Sequence, residues 1–337
     1  MKTLVTGANG FLGRHVVASL ASAGHRVRAL VRPSADLDGL GWDAPECRDA
    51  IEVVRADLKS EPDLGRFLED IEVVVHLAAS MSGSDFSRFR ETVIITDRLL
   101  DAMEASSIRR LLLCSSFSVY DWLGAGSSVS ERTELLEGAN VYARGGYACA
   151  KIWQERIARR RAETAGWELT IIRPGFIWGR GNECPNGAIG PSFGSLHLVL
   201  AGGRDLPFTH VENCADGICT AVESEAAAGE TLNLVDGHDL SAWRFMGEYL
   251  RRSGRGGYRI WLPHAIAWPL ILGSFGLARA ILGPRVKLPQ IFMPWGFAQG
   301  YRPLRYSTEH LRGVLDWRPP LSIEGALDRT FDERPTN

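Results

Sequence analysis

The run TGANGFLG at positions 6–13 constrains this chain more than any other stretch of its sequence. It comes after a short apolar strand expected at Lys2–Thr6 and opens a helical stretch at Gly10–Ser22. Gly7, Gly10 and Gly13 then have three separate jobs. One makes a tight turn, the second lets backbone approach a pyrophosphate, and the third lets the helix press against the strand. The helix N-terminus offers free N–H groups and a partial positive charge to phosphates. With Phe11 and Leu12 between the last two glycines, the loop is the expected cradle of a dinucleotide. Strand–turn–helix context makes this reading far more specific than glycine spacing alone.

Beyond this turn, strands and helices alternate. Further strands are expected at Arg26–Val31, Ile51–Arg55, Ile71–Leu77, Arg110–Ser115 and Glu168–Pro174. Helices are expected at Glu61–Leu68 and Glu91–Ser106, and a third carries Tyr147 to about Thr164. This order predicts an α/β fold, a doubly wound parallel sheet of the Rossmann type with helices on both faces. After Pro174 the alternation breaks down, and Gly179, Gly181, Pro185, Gly187, Gly190 and Pro191 crowd the sequence. The expected division is a dinucleotide-binding domain at 1–175 and a smaller substrate lobe at 176–337. Segments at about 208–240, Thr231–Leu234 among them, are expected to return to the sheet.

The partner of the cofactor's adenosine ribose should stand at the end of the second strand. An acid there holds a 2′-hydroxyl, whereas an arginine accommodates a 2′-phosphate. Arg32 occupies the place with no acid beside it, which favours NADP(H) over NAD(H), although Asp36 and Asp38 come next in the loop. Asp57 and Leu58 after the third strand suit the adenine edge, and Asp57 equally suits a helix cap. Leu77, Ala78 and Ala79 close the fourth strand with small residues where backbone should approach the nicotinamide ribose.

Tyr147 and Lys151 lie four residues apart, on one face of a helix. Alone, such a pair is ordinary helix-surface chemistry. Joined to a dinucleotide loop and to Ser115-Ser116, it reads as a proton-transfer group, a cation to tune it and a hydroxyl to orient a carbonyl. Free tyrosine ionises near pH ~10, and bringing that to about 7 takes roughly 4 kcal/mol. The lysine and an oxidised nicotinamide are the expected sources.

Bulk properties exclude several classes. A formal net charge of −2 over 337 residues gives no long-range pull on nucleic acid. The basic run Arg251-Arg252-Ser253-Gly254-Arg255 reads as a solvated turn. Six cysteines form no CxxC pair and no metal-ligand spacing with histidine, so a reduced interior without a metal site is expected. A strand beginning at Lys2 leaves no signal-peptide pattern, and a cytoplasmic location is expected. The uncharged stretch 265–278 is interrupted by Pro269 and shorter than the ~18 residues of a spanning helix. It reads first as a buried helix or dimer contact, and alternatively as a peripheral membrane contact through Trp261, Trp268 and Phe275.

These motifs together resemble the extended short-chain dehydrogenase/reductase superfamily, the NAD-dependent epimerase/dehydratase family. The matching pieces are TGANGFLG, AD at 56–57, HLAA at 76–79, SSFSVY at 115–120, YACAK at 147–151 and RPGFIWG at 173–179. HVENCADGI at 210–218, LNLVDG at 232–237 and YSTEHLRGVLDWRPPLSIEGAL near the C-terminus extend the likeness over essentially the whole chain. The resemblance implies that Tyr147 is the acid/base, Lys151 lowers its pKa and bonds the nicotinamide ribose, and Ser116 bonds the substrate oxygen. It also implies that Pro174, Phe176 and Ile177 line the nicotinamide, and that the chain forms a homodimer. Two departures stand out: Thr92 and Ile95 replace the usual Asn and Gly, and Asp121 replaces a glycine after Val119-Tyr120. Within the superfamily, Arg32 and the aromatic C-terminal lobe point to a ketoreductase similar to the 3β-hydroxysteroid dehydrogenase and dihydroflavonol reductase branch. A nucleotide-sugar epimerase with tightly held NAD and a non-catalytic NADP-binding regulator are the alternatives.

Overall fold

The structure is a computed structural model, and it describes all residues except 43, 138–144, 185–187, 201–205, 238–239, 284–287 and 332–337. In the first half, strands β1 (Lys2–Thr6), β2 (Arg26–Val31), β3 (Ile51–Arg55), β4 (Val73–His76) and β5 (Arg110–Cys114) alternate with helices α1 (Gly13–Ser22), α2 (Pro45–Arg48) and α3 (Asp85–Glu104). The two-residue strand β6 (Ser128–Val129) precedes the long helix α4 (Gly146–Ala165) and strand β7 (Glu168–Pro174). The second half contains β8 (Phe176–Trp178), β9 (Ser192–Phe193), β10 (Leu196–Val199), β11 (Phe208–His210), α5 (Val211–Glu223) and β12 (Thr231–Leu234). It ends with α6 (Ala242–Ser253), β13 (Tyr258–Trp261), α7 (His264–Leu282), α8 (Pro294–Tyr301), β14 (Arg305–Tyr306), α9 (Glu309–Leu315) and α10 (Ile323–Phe331).

Seven parallel strands form the central sheet, in the order β12-β7-β5-β4-β1-β2-β3. Chain direction across the sheet reverses between β1 and β4, and ligands of open α/β sheets bind at that switch point. The inner strands are largely buried, as β4 (VVVH, all four buried) illustrates, because helices cover both faces. Thr231–Leu234 is the edge strand beside β7, so the chain does return to the sheet after its first lobe excursion.

The helix expected at Glu61–Leu68 is a single 3-10 turn, Gly65–Phe67. Leu64, Phe67, Leu68 and Ile71 have helical spacing and are buried, but Pro62 and Gly65 leave too little good helix former for a full helix. The opposite happened at α3, which starts six residues earlier than expected because the Ser84 hydroxyl caps it by accepting from Ser87 N. Helices α3 and α4 then pack tightly against each other. A Cβ on Gly146 would come 1.9 Å from the Asp85 carbonyl oxygen, so only glycine allows this approach.

Beneath the sheet's C-terminal edge lies a buried polar column. Arg173 on β7 donates two hydrogen bonds to Glu155 on α4, at 2.8 and 2.6 Å. It donates a third to Tyr120, whose hydroxyl in turn donates to Asn233 on β12 at 2.6 Å. All four side chains are essentially inaccessible. Burial works to raise the Glu155 carboxyl, but the paired guanidinium outweighs it and holds the group below the ordinary carboxylate range. Burial likewise pushes the Tyr120 phenol up to about 12.

The second lobe has its own core, where Trp178, Phe208 and Phe245 meet edge-to-face with centroids 4.9–5.1 Å apart. It also reaches back over the first half. Strand β14 pairs in parallel with β6, and Arg302 donates to the carbonyls of Trp122, Leu123 and Gly126. The apolar stretch, expected as an interrupted helix that is buried or forms a dimer contact, is neither interrupted nor buried within the lobe. Helix α7 runs unbroken through Pro269, and of its 19 residues only Ala267 and Ile271 are buried. The proline removes one hydrogen bond near the helix start, which neighbouring turns tolerate.

Replacing Arg173 with methionine strands a buried Glu155 charge and is expected to cost about 3–5 kcal/mol in denaturant unfolding. The double variant Arg173→Met, Glu155→Gln should recover more than half of that loss, and failure to recover would show that the pair acts only through packing.

Candidate active site

Every position that the sequence marked for cofactor or chemistry lies just past the C-terminal end of a sheet strand or on the helix facing it. Gly7 comes directly after β1, Arg32 after β2, Asp57 after β3, Leu77–Ala79 after β4 and Ser116 after β5, while Pro174 ends β7. Parallel pairing sets these ends side by side along one edge.

At the switch point, Gly7 adopts φ +70°, and a Cβ there would stand 3.0 Å from the backbone N and Cα of Ala78. The loops after β1 and β4 therefore touch backbone to backbone. A Cβ on Gly13 would lie 2.1 Å from the Gly7 carbonyl oxygen, so the start of α1 closes directly onto the turn. No side chain caps α1: Leu12 holds the cap position without a side-chain hydrogen bond. An uncapped, glycine-lined helix N-terminus at the switch point fits the pyrophosphate of a dinucleotide. Phe11 and Leu12 are half-buried beside it.

Around the ribose and adenine positions the fit is mixed. Arg32 is exposed and has no ion-pair partner among the described residues. Arg55, which sequence reading did not single out, donates to the carbonyls of Pro33 and Ala35 and pins the loop after Arg32 to β3. Asp36 Oδ1 accepts from Asp38 N, within its own loop. Asp57 Oδ1 accepts from Lys59 N, and its carbonyl accepts from Ser60 and Glu61, so it organises a turn. The Leu58 side chain is buried in the core.

The reacting groups gather where β5 ends. Ser116 is extended and caps the short turn Phe117–Val119 by accepting from Ser118 N at 3.2 Å. Its hydroxyl lies close enough to the Tyr147 phenol to oppose the rise in that group's pKa. Lys151 is 3% exposed and donates to the Cys114 carbonyl at 2.7 Å, with its nitrogen 5.9 Å from the centre of the Tyr147 ring. Burial lowers the pKa of Lys151, while Cys114 and Glu155 oppose that shift. Tyr147, Lys151 and Glu155 thus form one stripe along α4, spaced by four residues.

Lys151 and an oxidised nicotinamide were together expected to depress the Tyr147 pKa; the protein's own groups push the phenol up, first by burial and then by Cys114, with Ser116 opposing. The ammonium is turned to a carbonyl, so the protein alone keeps Tyr147 protonated.

Sequence reading also missed the group that shapes the β4 edge. His76 is buried, with Nδ1 2.7 Å from Thr6 Oγ1 and Nε2 3.0 Å from Thr96 Oγ1. Gln154 donates to Thr96 at 2.6 Å. Burial, aided by Lys151, pushes the His76 pKa down to about 3, so the ring is neutral. Thr92, standing where an asparagine is usual, accepts from Ser80 N at 2.9 Å and ties down the loop after Ala79. Pro174 is buried at the end of β7, and the half-buried Phe176 and Ile177 lie in β8, which pairs with β11. In the loops 121–145 and 180–210, residues 138–144, 185–187 and 201–205 lie outside the described residues.

Next to the site, Phe117 opens an aromatic cluster with Tyr120, Trp122 and Tyr306, against which Trp268 packs. Beyond it a cavity of about 280 Å3 is bounded by Leu123, His264, Trp268, Ala298 and Arg302.

A glycine-lined switch point joined to a Ser–Tyr–Lys group defines an NAD(P)-dependent enzyme of the extended short-chain dehydrogenase/reductase kind. Residues 3–234 match the model of the NAD dependent epimerase/dehydratase family, and the chain belongs to that family. Human sterol-4-alpha-carboxylate 3-dehydrogenase, decarboxylating, is 26% identical over 336 residues, covering 97% of this chain and 86% of that one. The 2-alkyl-3-oxoalkanoate reductase of Stenotrophomonas maltophilia is 28% identical over 360 residues, covering 98% of both. Among solved structures, the UDP-glucuronic acid 4-epimerase of Bacillus cereus with UDP-glucuronic acid and NAD superposes with a TM-score of 0.70 at 19% identity, covering 98% of both chains. That likeness is one of fold.

Gly13→Ala is expected to weaken dinucleotide binding at least tenfold and to destabilise the fold by about 1–3 kcal/mol, because a methyl group cannot fit at 2.1 Å from Gly7 O. Gly10→Ala, whose Cβ would stand 3.1 Å from the same oxygen, should be milder in both titration and unfolding.

Proposed function

We propose that this enzyme interconverts a ketone and a secondary alcohol on a small, largely apolar substrate with NADP(H). The observation that carries the reading is the meeting of Ser116, at the end of β5, with Tyr147 and the buried Lys151 on one face of α4. The bound nicotinamide supplies the hydride. Ser116 orients the carbonyl oxygen, Tyr147 gives that oxygen its proton, and the Lys151 ammonium offsets the phenolate left behind. In the oxidative direction Tyr147 has to lose its proton first.

The cofactor preference rests on Arg32, an exposed guanidinium without a carboxylate partner among the described residues. The substrate class rests on the two relatives. One is named for oxidation at position 3 of a sterol 4-carboxylate, the other for reduction of a 3-oxo group in a 2-alkyl alkanoate. In both, the reacting carbon lies β to a carboxylate and next to a branched carbon. An α-branched β-oxo or β-hydroxy acid is therefore the substrate we infer, and the cavity walled by Leu123, Trp268 and Ala298 has room for its apolar part.

Purified enzyme should oxidise NADPH in the presence of a 2-alkyl-3-oxoalkanoate. Tyr147→Phe should lower kcat by about 100-fold or more while leaving NADPH binding intact. Retention of turnover by that variant would refute the mechanism. Since burial raises the Tyr147 pKa, the phenol stays an acid throughout neutral pH. Reduction should therefore keep a constant kcat between about pH 6 and 8, whereas alcohol oxidation should accelerate as pH rises. Arg32→Asp should weaken NADPH by about 10–100-fold and NADH little, as loss of a charge-assisted contact requires. Equal losses would remove the basis for the NADP(H) preference.

A further inference from the structure

Helix α7 is the most apolar and the least covered of the described helices. Its mean hydropathy is 1.7, and only 6% of that apolar window is buried. One side is attached to the protein: Ala267 and Ile271 are buried, and Phe275 meets Trp295 on α8 with ring centres 6.0 Å apart. His264 and Trp268 on the same side stack at 5.8 Å and pack on Phe297. The opposite side is a stripe of bare aliphatic residues, with Ile266 at 54%, Leu270 at 62%, Leu277 at 62% and Ile281 at 71% exposure. Trp261 and Ile260, on the strand leading into the helix, are 54% and 49% exposed. Water is a poor solvent for a continuous surface of this kind.

The charge around it identifies what covers it. Between Glu248 and Glu309 the sequence has no acidic residue, yet it carries nine basic ones at 251, 252, 255, 259, 279, 285, 287, 302 and 305. The rest of the chain has 38 − 9 = 29 basic residues against 40 acidic, so positive charge is concentrated in this one stretch. Arg285 and Lys287 lie outside the described residues. Arg251 and Arg252 pair with Glu248 at the end of α6. Nearer the helix, Arg259 stacks on Trp243, Arg279 on Phe275, and Arg302 bonds backbone carbonyls, and none of the three has a carboxylate partner among the described residues. A second copy of so basic a face would repel the first. An anionic lipid surface would attract it, and the aliphatic stripe would then enter the boundary between headgroups and acyl chains.

We propose that α7 is a monotopic membrane-docking helix that lies in the plane of an anionic bilayer surface. Nineteen residues make about 28 Å of helix, enough to cross a bilayer, but attachment of one side to α8 and the lobe core holds it lengthwise. The residues that enter the lipid are Ile266, Leu270, Leu277 and Ile281. Trp268 and Phe275, expected to do so, face the protein instead. The inference does not depend on the reaction proposed above, and its test reads binding rather than turnover.

Full-length protein should float with vesicles of phosphatidylcholine containing about 30% phosphatidylglycerol, at least tenfold tighter than with phosphatidylcholine alone, and added salt should weaken the difference. Leu270→Glu with Leu277→Glu should cut binding to anionic vesicles by about tenfold or more, with the unfolding midpoint and NADPH affinity unchanged. Arg259→Glu with Arg279→Glu should abolish the preference for anionic lipid. The proposal is overturned if anionic vesicles do not bind the protein, or if the leucine variants bind them as well as the parent. It is equally overturned if vesicles are ignored and size-exclusion shows a dimer that the leucine variants dissolve, since a second copy would then cover the face.

Discussion

A buried ammonium must be surrounded by oxygen, and the way Lys151 meets that demand shapes much of this molecule. Its nitrogen is held by the Cys114 carbonyl at the end of β5, which fixes the helix bearing it against the C-terminal edge of the sheet. One turn further along α4, Glu155 engages Arg173 from β7, and Arg173 reaches Tyr120 and so Asn233 on β12. The same helix is thereby tied to three of the seven strands by charge and hydrogen bonds. Tyr147, one turn in the other direction, inherits a fixed position beside Ser116. Proton chemistry at the tip rests on ion pairing below it.

The second constraint is backbone contact. Gly7 brings the loop after β1 against Ala78, and Gly13 brings α1 against the turn, so backbone closes on backbone where phosphates would sit. His76, Thr6, Thr96 and Gln154 hold the neighbouring strand end with neutral hydrogen bonds. A charged imidazolium there would compete with Lys151, and burial prevents it. Chemistry and cofactor loop are thus fixed by separate devices that meet at the end of β4.

Much of this was legible in the sequence, for physical reasons. Arg26–Val31, Ile51–Arg55 and Glu168–Pro174 are strands as expected, because short stretches rich in Val, Ile and Leu between turn signals suit a sheet. The sheet and the family were readable from TGANGFLG and YACAK because both motifs act over a few consecutive residues. Glu61–Leu68 misled because its apolar spacing answers to burial, which a 3-10 turn also satisfies. The Glu155–Arg173 pair and the His76 cluster were invisible because their partners are distant in sequence and meet only through topology. Helix α7 was misjudged for a simpler reason. An apolar run looks the same whether it faces a core or the outside, and only its neighbours in space decide.

The clasp between β14 and β6 has a consequence in time as well as in space. Arg305 and Tyr306 pair with Ser128 and Val129, and Arg302 holds the carbonyls of Trp122, Leu123 and Gly126, in the loop that leaves Ser116. During synthesis the sheet through β7 can assemble well before residue 302 leaves the ribosome. The nucleotide crevice can therefore form on a nascent chain whose substrate-side loop is still unfastened. Assembly can follow the order of translation: the glycine turn and the strand ends beside it come first, and the clasp of β14 on β6 comes last.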